Sequence, residues 1–173
     1  MKIILLGPTG TGKGTQAKFI SKLLRLNHIE TGAIFRKESE KNILIKRLLK
    51  QGGLIPDKIT INIVNKKINN KKKIILDGFP RTLKQAKALK FRPDLVLFIK
   101  TSKKNLVKRL LLRKREDDTK KNIETRYKIY LKKTIPVINY YRKMNVLKEI
   151  NGNLSIKEVS RNIKKILISI GKG

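Results

Sequence analysis

The stretch Gly7 to Thr15, GPTGTGKGT, combines four glycines, one lysine and three threonine hydroxyls in nine residues. Gly7, Gly12 and Lys13 fall on the spacing G-x-x-x-x-G-K. Glycine backbone lets successive N–H groups converge on phosphate oxygens, a helix starting at the loop adds the positive end of its dipole, and Lys13 can reach the outer phosphates of a polyphosphate. The apolar run Ile3 to Leu6 before the loop and the helical pattern opened by Gln16 after it supply the strand-then-helix context such a loop requires. Gly14 follows Lys13, and a hydroxyl comes only one step later, at Thr15.

Other stretches carry complementary chemistry. Thr31-Gly32-Ala33-Ile34-Phe35-Arg36 places a hydroxyl and an arginine after a second strand, and Leu76-Asp77-Gly78-Phe79-Pro80-Arg81-Thr82 places a carboxylate and an arginine after a third. Further on, Arg109, Arg113 and Arg115 precede Asp117 and Asp118, and Arg126 is followed by Tyr130. One arginine on a helix is an ordinary solvated residue. Several of them on the rim facing a phosphate loop point to a second phosphate or polyphosphate site. Asp77 also reads as a helix N-cap acid, and Asp117 and Asp118 as first-turn acids of a helix running from Thr119.

Positioning these residues requires buried strands alternating with helices. Ile3 to Leu6, Ile74 to Leu76 and Leu95 to Ile99 are short and apolar on both faces, as buried parallel strands are, and Val146 to Ile150 supplies a last strand. Asn151-Gly152-Asn153 turns the chain into a final helix. There Ile156, Val159, Ile163, Ile166, Leu167 and Ile170 form an apolar stripe, with Ser155 as N-cap. The repeated β-then-α order predicts an α/β fold, a doubly wound parallel sheet of about five strands with helices on both faces, in which ligands bind beyond the carboxyl ends of the strands.

Composition excludes several alternatives. With 173 residues and 39% apolar content the chain suits one domain, 1–173. It holds no cysteine and one histidine, His28, so disulfides and zinc sites of the thiolate or histidine-cluster kind are excluded. No apolar run approaches a membrane span, and a soluble, cytoplasmic, monomeric protein is expected. Lys and Arg number 44 against 12 Asp and Glu, a net charge of +32 that attracts any anionic partner. The lysines are spread, and the densest run, Asn69 to Lys73, contains no aromatic on which a base could stack, so nucleic acid is expected to bind only nonspecifically.

Taken together these residues resemble the adenylate kinases of the nucleoside monophosphate kinase family. GPTGTGKGTQA is similar to the family's GxxGxGKGTQA, TGAIFR to its TGDxxR, LDGFPRT to its signature after the third strand, and RKREDD with Arg126 to its arginine and Asp-Asp segment. The resemblance covers the whole chain and implies a P-loop fold and reversible transfer of a phosphoryl group from Mg-ATP to AMP, giving two ADP. On that resemblance Gly10, Thr11, Gly12, Lys13, Gly14 and Thr15 wrap the donor phosphates, with Arg109, Arg113 and Leu154 also on the ATP side. Asp77 holds magnesium through water. Arg36 and Arg81 clamp the acceptor phosphate with Thr31 beside it, Gly78 and Phe79 also lie in the AMP site, Gly53, Leu54 and Ile55 wall the base pocket, and Gln85 reads adenine. Arg115 and Arg126, shared between the substrates, join Lys13, Arg81 and Arg113 as the catalytic set. An AMP-binding helical insertion is expected at about 31–60 and a minimal lid at about 113–118, where only Lys114 separates Arg113 from Arg115. The chain departs from the family at Ala33, where the motif has aspartate, and at Thr60, which resembles uridylate-cytidylate kinases and keeps UMP or CMP open as an acceptor. Gln85 also reads as an exposed polar helix residue, and the +32 charge keeps an RNA-associated nucleotide-binding protein open.

Overall fold

Five short strands pair into one parallel sheet in the computed structural model, which describes residues 1–113 and 115–170; the three central ones are rich in branched apolar residues. The five are β1 (Lys2–Leu6), β2 (Asn27–Glu30), β3 (Ile74–Asp77), β4 (Leu95–Lys100) and β5 (Leu147–Asn151), in the spatial order β2-β3-β1-β4-β5. In the register, Ile3 stands beside Ile75 on one side and Leu95 on the other. Successive side chains of a strand point to opposite faces, so β1 divides its apolar residues between two cores. Ile3 and Leu5 pack with Ala17 and Ile20 of α1 (Lys13–Leu24) and with Val159, Ile163 and Leu167 of α9 (Ile156–Ile170). Ile4 and Leu6 pack with Val64 of α4 (Asp57–Ile68) and with Val137, Ile138 and Tyr141 of α8 (Ile135–Lys143). Full burial of such a side chain contributes about 1.5–3 kcal/mol. Because both faces are covered at the centre of the sheet, β1, β3 and β4 read as nearly continuous apolar runs, while the edge strands β2 and β5 carry polar residues.

The connections decide where a ligand goes. From β1 the chain builds β2 and β3 on one side and β4 and β5 on the other, so the strand order reverses at β1. The loop at the carboxyl end of β1 therefore lies at the switch point where open α/β sheets bind ligands, and α1 starts there with Gly12 as its N-cap. Between β2 and β3 stand α2 (Thr31–Glu38), α3 (Ile43–Lys50) and α4, which share a small core of Phe35, Ile45 and Ile55. This helical group runs beyond the expected 31–60, because α4 continues to Ile68 and sinks Val64 into the sheet's own core. After β3 comes α5 (Leu83–Lys87), and after β4 comes α6 (Lys103–Arg113). Then α7 (Lys120–Ile129) passes through a π-helical turn, Tyr130–Thr134, into α8. Such π turns recur at functional sites.

The capping signals are obeyed at α9 and differ elsewhere. Ser155 caps α9 reciprocally with Glu158: its Oγ accepts from the Glu158 N–H at 3.3 Å and its N–H donates to the Glu158 carboxylate at 2.9 Å. Ile156, expected in the buried stripe, is 65% exposed, because packing on the sheet begins only at Val159. Thr82 caps α5 and Asp77 ends β3, so Asp77 is not a helix cap. Thr119 caps α7, which leaves Asp117 and Asp118 before the helix and outside its first turn. The lysine run from Asn69 to Lys73 is exposed at the amino ends of the strands, opposite the loop. No helix among the described residues is long and apolar enough to cross a membrane.

Candidate active site

The glycine-rich loop is shaped by close packing as much as by its ligand chemistry. Gly10 has φ +92°, and a Cβ there would meet Leu110 Cγ of α6 at 2.8 Å, so only glycine lets the loop lie against that helix. Lys13 folds back across the loop and donates to the carbonyls of Gly7 and Pro8, both at 2.8 Å. Burial pulls its pKa down to about 8; the Asp77 charge opposes this, and Arg81 and Arg113 add to it. Thr15 is exposed at the start of α1, while Thr11 is buried with its hydroxyl unpartnered among the described residues. Arg109 ties this loop to the turn after β5, donating to the carbonyls of Gly152 at 2.8 Å, Leu154 at 3.3 Å and Thr11 at 3.4 Å. The Leu154 side chain packs on the α1–α9 core, so what it brings to this edge is its carbonyl.

Asp77 sits across from the loop. It is 6% exposed, and a Cβ on Gly14 would lie 3.4 Å from its Oδ2. Its carboxylate accepts no hydrogen bond from the described residues, and His28 Nε2 stands 3.9 Å away. Glu30 joins them, one ligand atom of each lying within 4.8 Å of the others. Buried carboxylate oxygens facing a phosphate loop are the donor type that magnesium prefers, and an ion that keeps its waters would fit against Asp77 without direct contact.

After β3, Arg81 donates Nε–H to the Gly78 carbonyl at 2.9 Å, and its own carbonyl accepts from Thr134 Oγ1 at 3.0 Å. Burial, with Arg126 and Arg36 nearby, lowers its pKa against the opposing charge of Asp77. Gly78, at φ +84°, passes so close to Thr31 that a Cβ would meet Thr31 Oγ1 at 2.6 Å. That hydroxyl donates to the Asp77 carbonyl at 3.1 Å, so Thr31 braces β3 against α2. Arg36 is held by Glu30, Nη2 to Oε1 at 2.8 Å. Phe79 and Ile55 have their side chains in cores, at 1% and 5% exposure, leaving only backbone for a ligand. Gly53 donates its N–H to Leu48 and is partly buried beside Leu54. Gln85 is no surface residue: it is 2% exposed, with Oε1 accepting from the Arg81 N–H and Nε2 donating to Asp57 Oδ1, both at 2.7 Å. Thr60 is buried, its hydroxyl donating to the Ile55 carbonyl at 3.3 Å.

The short arginine segment closes the third side. Asp118 accepts a two-pronged contact from Arg113, 2.7 Å from both Nε and Nη2, and a third bond from Arg126 at 3.0 Å. Arg126 also pairs with Asp117. Burial alone would raise the Asp118 pKa; its hydrogen bonds and the charges of Arg113 and Arg126 outweigh this and hold it below the usual carboxylate range. Arg115 is exposed, and its pKa is lowered by desolvation and by the charges of Arg113 and Arg36. Lys114 lies outside the described residues. Asn122 of α7 joins this segment to the helical group, donating to the carbonyls of Lys50 at 2.9 Å and Asp117 at 3.1 Å.

An open cleft is lined by Lys13, Leu54, Gly78, Arg81, Arg126 and Tyr130, so the loop, the third-strand motif and Arg126 of α7 face one space. Arg36, Gln85, Arg113 and Arg115 stand outside its lining, so of the arginine segment only Arg126 faces it. The family model for adenylate kinase matches residues 5–146, from within β1 to the residue before β5. The chain belongs to the adenylate kinase family. It is 36% identical to an adenylate kinase of Clostridium botulinum, over 96% of this chain and 98% of that one. It is 37% identical to adenylate kinases of Prochlorococcus marinus, over 94% and 96% of the two chains, and of Clostridium kluyveri, over 99% and 100%. The C. botulinum alignment spans 212 positions and the P. marinus alignment 175, against the 173 residues of this chain. Within this family setting, Glu30, Asp57 and Asn122 lie outside the sequence motifs, and Thr82 lies in one without an assigned role. Glu30 and Asp57 each hold a residue that the sequence singles out, Thr82 supports the same cluster as Asp57, and Asn122 bridges two segments. Glu30, beside the Thr31 motif, and Thr82, at the end of the third-strand motif, have a local signal; Asp57 and Asn122 have none.

Proposed function

We propose that this chain moves the terminal phosphoryl group of Mg-ATP to AMP, reversibly, giving two ADP. The observation that carries the reading is the single cleft onto which Lys13 opens from the loop and Arg81 and Arg126 from the other walls. Backbone N–H groups from Gly10 to Thr15 take the donor phosphates, with Arg109 and the Leu154 carbonyl at the outer edge of that site. Lys13 exchanges the carbonyls of Gly7 and Pro8 for the transferred group, and the incoming negative charge offsets the burial that depresses its pKa. Arg36 and Arg81 hold the acceptor phosphate over Gly78 and Thr31, while Arg113, Arg115 and Arg126 cover the group in flight. Magnesium, when bound, would neutralise charge on the donor phosphates, and Asp77 would hold it through water.

In-line transfer needs little covalent work from the protein; it needs reactants aligned and spread negative charge met by fixed positive charge. The cations of the cleft have carbonyl partners or exchangeable carboxylates, so the phosphates can displace them. The acceptor base lies against Leu54 and the backbone of Gly53, Ile55 and Phe79, where Gln85 reads it. All these groups come from one chain, so a monomer suffices, and its nucleotide substrates suit the cytoplasm. Nucleic acid is held only nonspecifically, by the dispersed surface lysines.

Incubation with Mg-ATP and each of AMP, CMP, UMP and GMP tests the reading: ADP should form from AMP far faster than the other diphosphates form. Arg81→Ala removes a charge-assisted contact to the acceptor phosphate and should lower kcat/KM for AMP by about thirty- to a thousand-fold, or about 2–4 kcal/mol. A loss below about threefold would overturn the role of Arg81.

A further inference from the structure

We propose that Asp57 determines which bases the acceptor site takes, by locking the Gln85 amide in one orientation. The inference rests on Gln85 being the residue that reads the base. A glutamine amide has nearly the same shape when its oxygen and nitrogen exchange places, yet the exchange reverses its hydrogen-bonding sense. An amide free to turn over would greet either of two opposite base edges. Selectivity therefore needs neighbours whose own sense cannot reverse.

Gln85 has two such neighbours. The Arg81 backbone N–H only donates, so the atom 2.7 Å from it is Oε1. An ionised carboxylate only accepts, so the atom 2.7 Å from Asp57 Oδ1 is Nε2. Thr82 extends the pattern: its hydroxyl accepts from the Gln85 backbone N–H at 3.2 Å, which directs its own proton to Asp57 Oδ1 at 3.0 Å. Every bond in the cluster then has one consistent direction. Turning the amide over would set donor against donor at Arg81 and acceptor against acceptor at Asp57. Gln85 is 2% exposed, so water offers little compensation for the lost bonds. Asp57 itself is the first residue of α4, directly after Pro56, a position with little freedom to follow a moving amide.

Locked in this way, the amide keeps one lone pair on Oε1 and one N–H on Nε2, neither bonded to another described residue. That pair matches a base edge with an exocyclic amino group next to an unprotonated ring nitrogen, which adenine and cytosine carry. It opposes an edge with a carbonyl next to a ring N–H, which hypoxanthine, guanine and uracil carry. Adenine and hypoxanthine have nearly the same size, so the ratio of AMP to IMP use isolates hydrogen-bond sense from fit. Asp57 is thus a positioning residue: it acts on the base through Gln85.

The test compares kcat/KM for AMP, IMP, CMP and UMP at saturating Mg-ATP in the natural chain, Gln85→Leu, Asp57→Ala and Asp57→Asn. The natural chain should favour AMP over IMP, and Asp57→Ala should lower that ratio on the order of tenfold with the KM for ATP unchanged. Asp57→Asn keeps the side-chain volume and an accepting oxygen but carries an amide that can itself turn over, so its ratio should fall between the two. If Asp57→Ala does not fold, as a thermal melt will show, Asp57→Asn alone carries the comparison. Equal losses toward AMP and IMP, with the ratio intact in either folded Asp57 variant, would make Asp57 merely structural and overturn the proposal. Should Gln85→Leu collapse the ratio while the Asp57 variants keep it, the lock is wrong and the base-reading role of Gln85 stands. An unchanged ratio in Gln85→Leu would remove that role, and the proposal with it.

Discussion

The glycine-rich loop and the arginine segment both bring positive charge to the cleft, and they restrain it differently. Lys13 is held by two carbonyls, with its pKa drawn down to about 8, so its charge is uncompensated by any hydrogen-bonded carboxylate among the described residues. Arg113 and Arg126 instead share Asp118, which three of their N–H groups reach, and Arg126 takes Asp117 as well. The loop is a site in tension that an anion relieves. The segment is already neutralised and must be re-aimed by its ligand. The difference teaches that nucleotide binding should change the electrostatics at Lys13 but the geometry at Arg113 and Arg126.

The largest effect is expected at the loop. Lys13→Met should reduce kcat by about a hundred- to a thousand-fold, since it removes a donor aimed at charge developing on the transferred group. The same change should flatten a rise of stability with pH in the nucleotide-free chain. The folded pKa of about 8 lies below the ordinary value of 10.5, so between these the unfolded chain binds more protons and stability climbs with pH. Below pH 8 the burial penalty is fully present; passage to pH 10.5 removes up to about 3 kcal/mol of it, at about 1.4 kcal/mol per unit. Denaturant unfolding of both chains from pH 7 to 11 measures this directly. A Lys13→Met chain with the same slope as the natural one would mean that Lys13 is not strained.

An intermediate effect is expected at the segment. Asp118→Asn keeps the shape but weakens three charge-assisted bonds, and should cost about 1–3 kcal/mol of stability at neutral pH with a roughly tenfold drop in kcat. The folded pKa of Asp118 is depressed, so its contribution is present above the unfolded carboxylate value and disappears as pH falls through the folded one. Natural and variant melting temperatures should therefore converge in acid. Equal melting temperatures at pH 7 would show that the ion pairs contribute nothing measurable.

The smallest effect concerns water. With so few residues between Arg113 and Arg115, cover over the cleft falls to α7, which reaches the helical group through Asn122. Mg-ATP alone should be hydrolysed at a few per cent of the transferase rate, with loose selection among ATP, GTP and CTP, because lids exclude water and bring arginines into place. Asn122→Ala should raise that leak severalfold. Phosphate release measured without AMP checks both statements, and a leak below detection in both chains would mean that the cleft is sealed by other contacts.

The loop and the arginine segment also differ in how far they were legible. The glycines and Lys13, a few residues apart between a strand and a helix, carry a local pattern, and the strands announce themselves as buried because both faces are apolar. At the segment the identity of the arginines was legible but their pairing was not. Asp118 reads equally well as a helix acid, and only the fold shows Thr119 taking the cap and Asp118 turned to Arg113 and Arg126. Ile156 shows the same limit: helical spacing puts it on the apolar stripe, while the end of the packing surface leaves it in solvent.

What the sequence determined by itself is the chemistry available: a phosphate loop, an excess of arginines over carboxylates, a parallel sheet with helices on both faces, and membership of one kinase family. Those features are local in the chain, set by residue type and by spacings of two to seven positions. The tertiary structure alone decided which groups hold which. Gln85 meets Asp57 across 28 positions, Asn122 meets Lys50 across 72, and Arg109 meets Thr11 across 98. The strand order decided these meetings by folding the carboxyl ends of β1, β3 and β4 onto one edge. No spacing along the chain encodes such a pairing, because it arises from the packing of whole elements, and the direction of each hydrogen bond follows only once the partners have met.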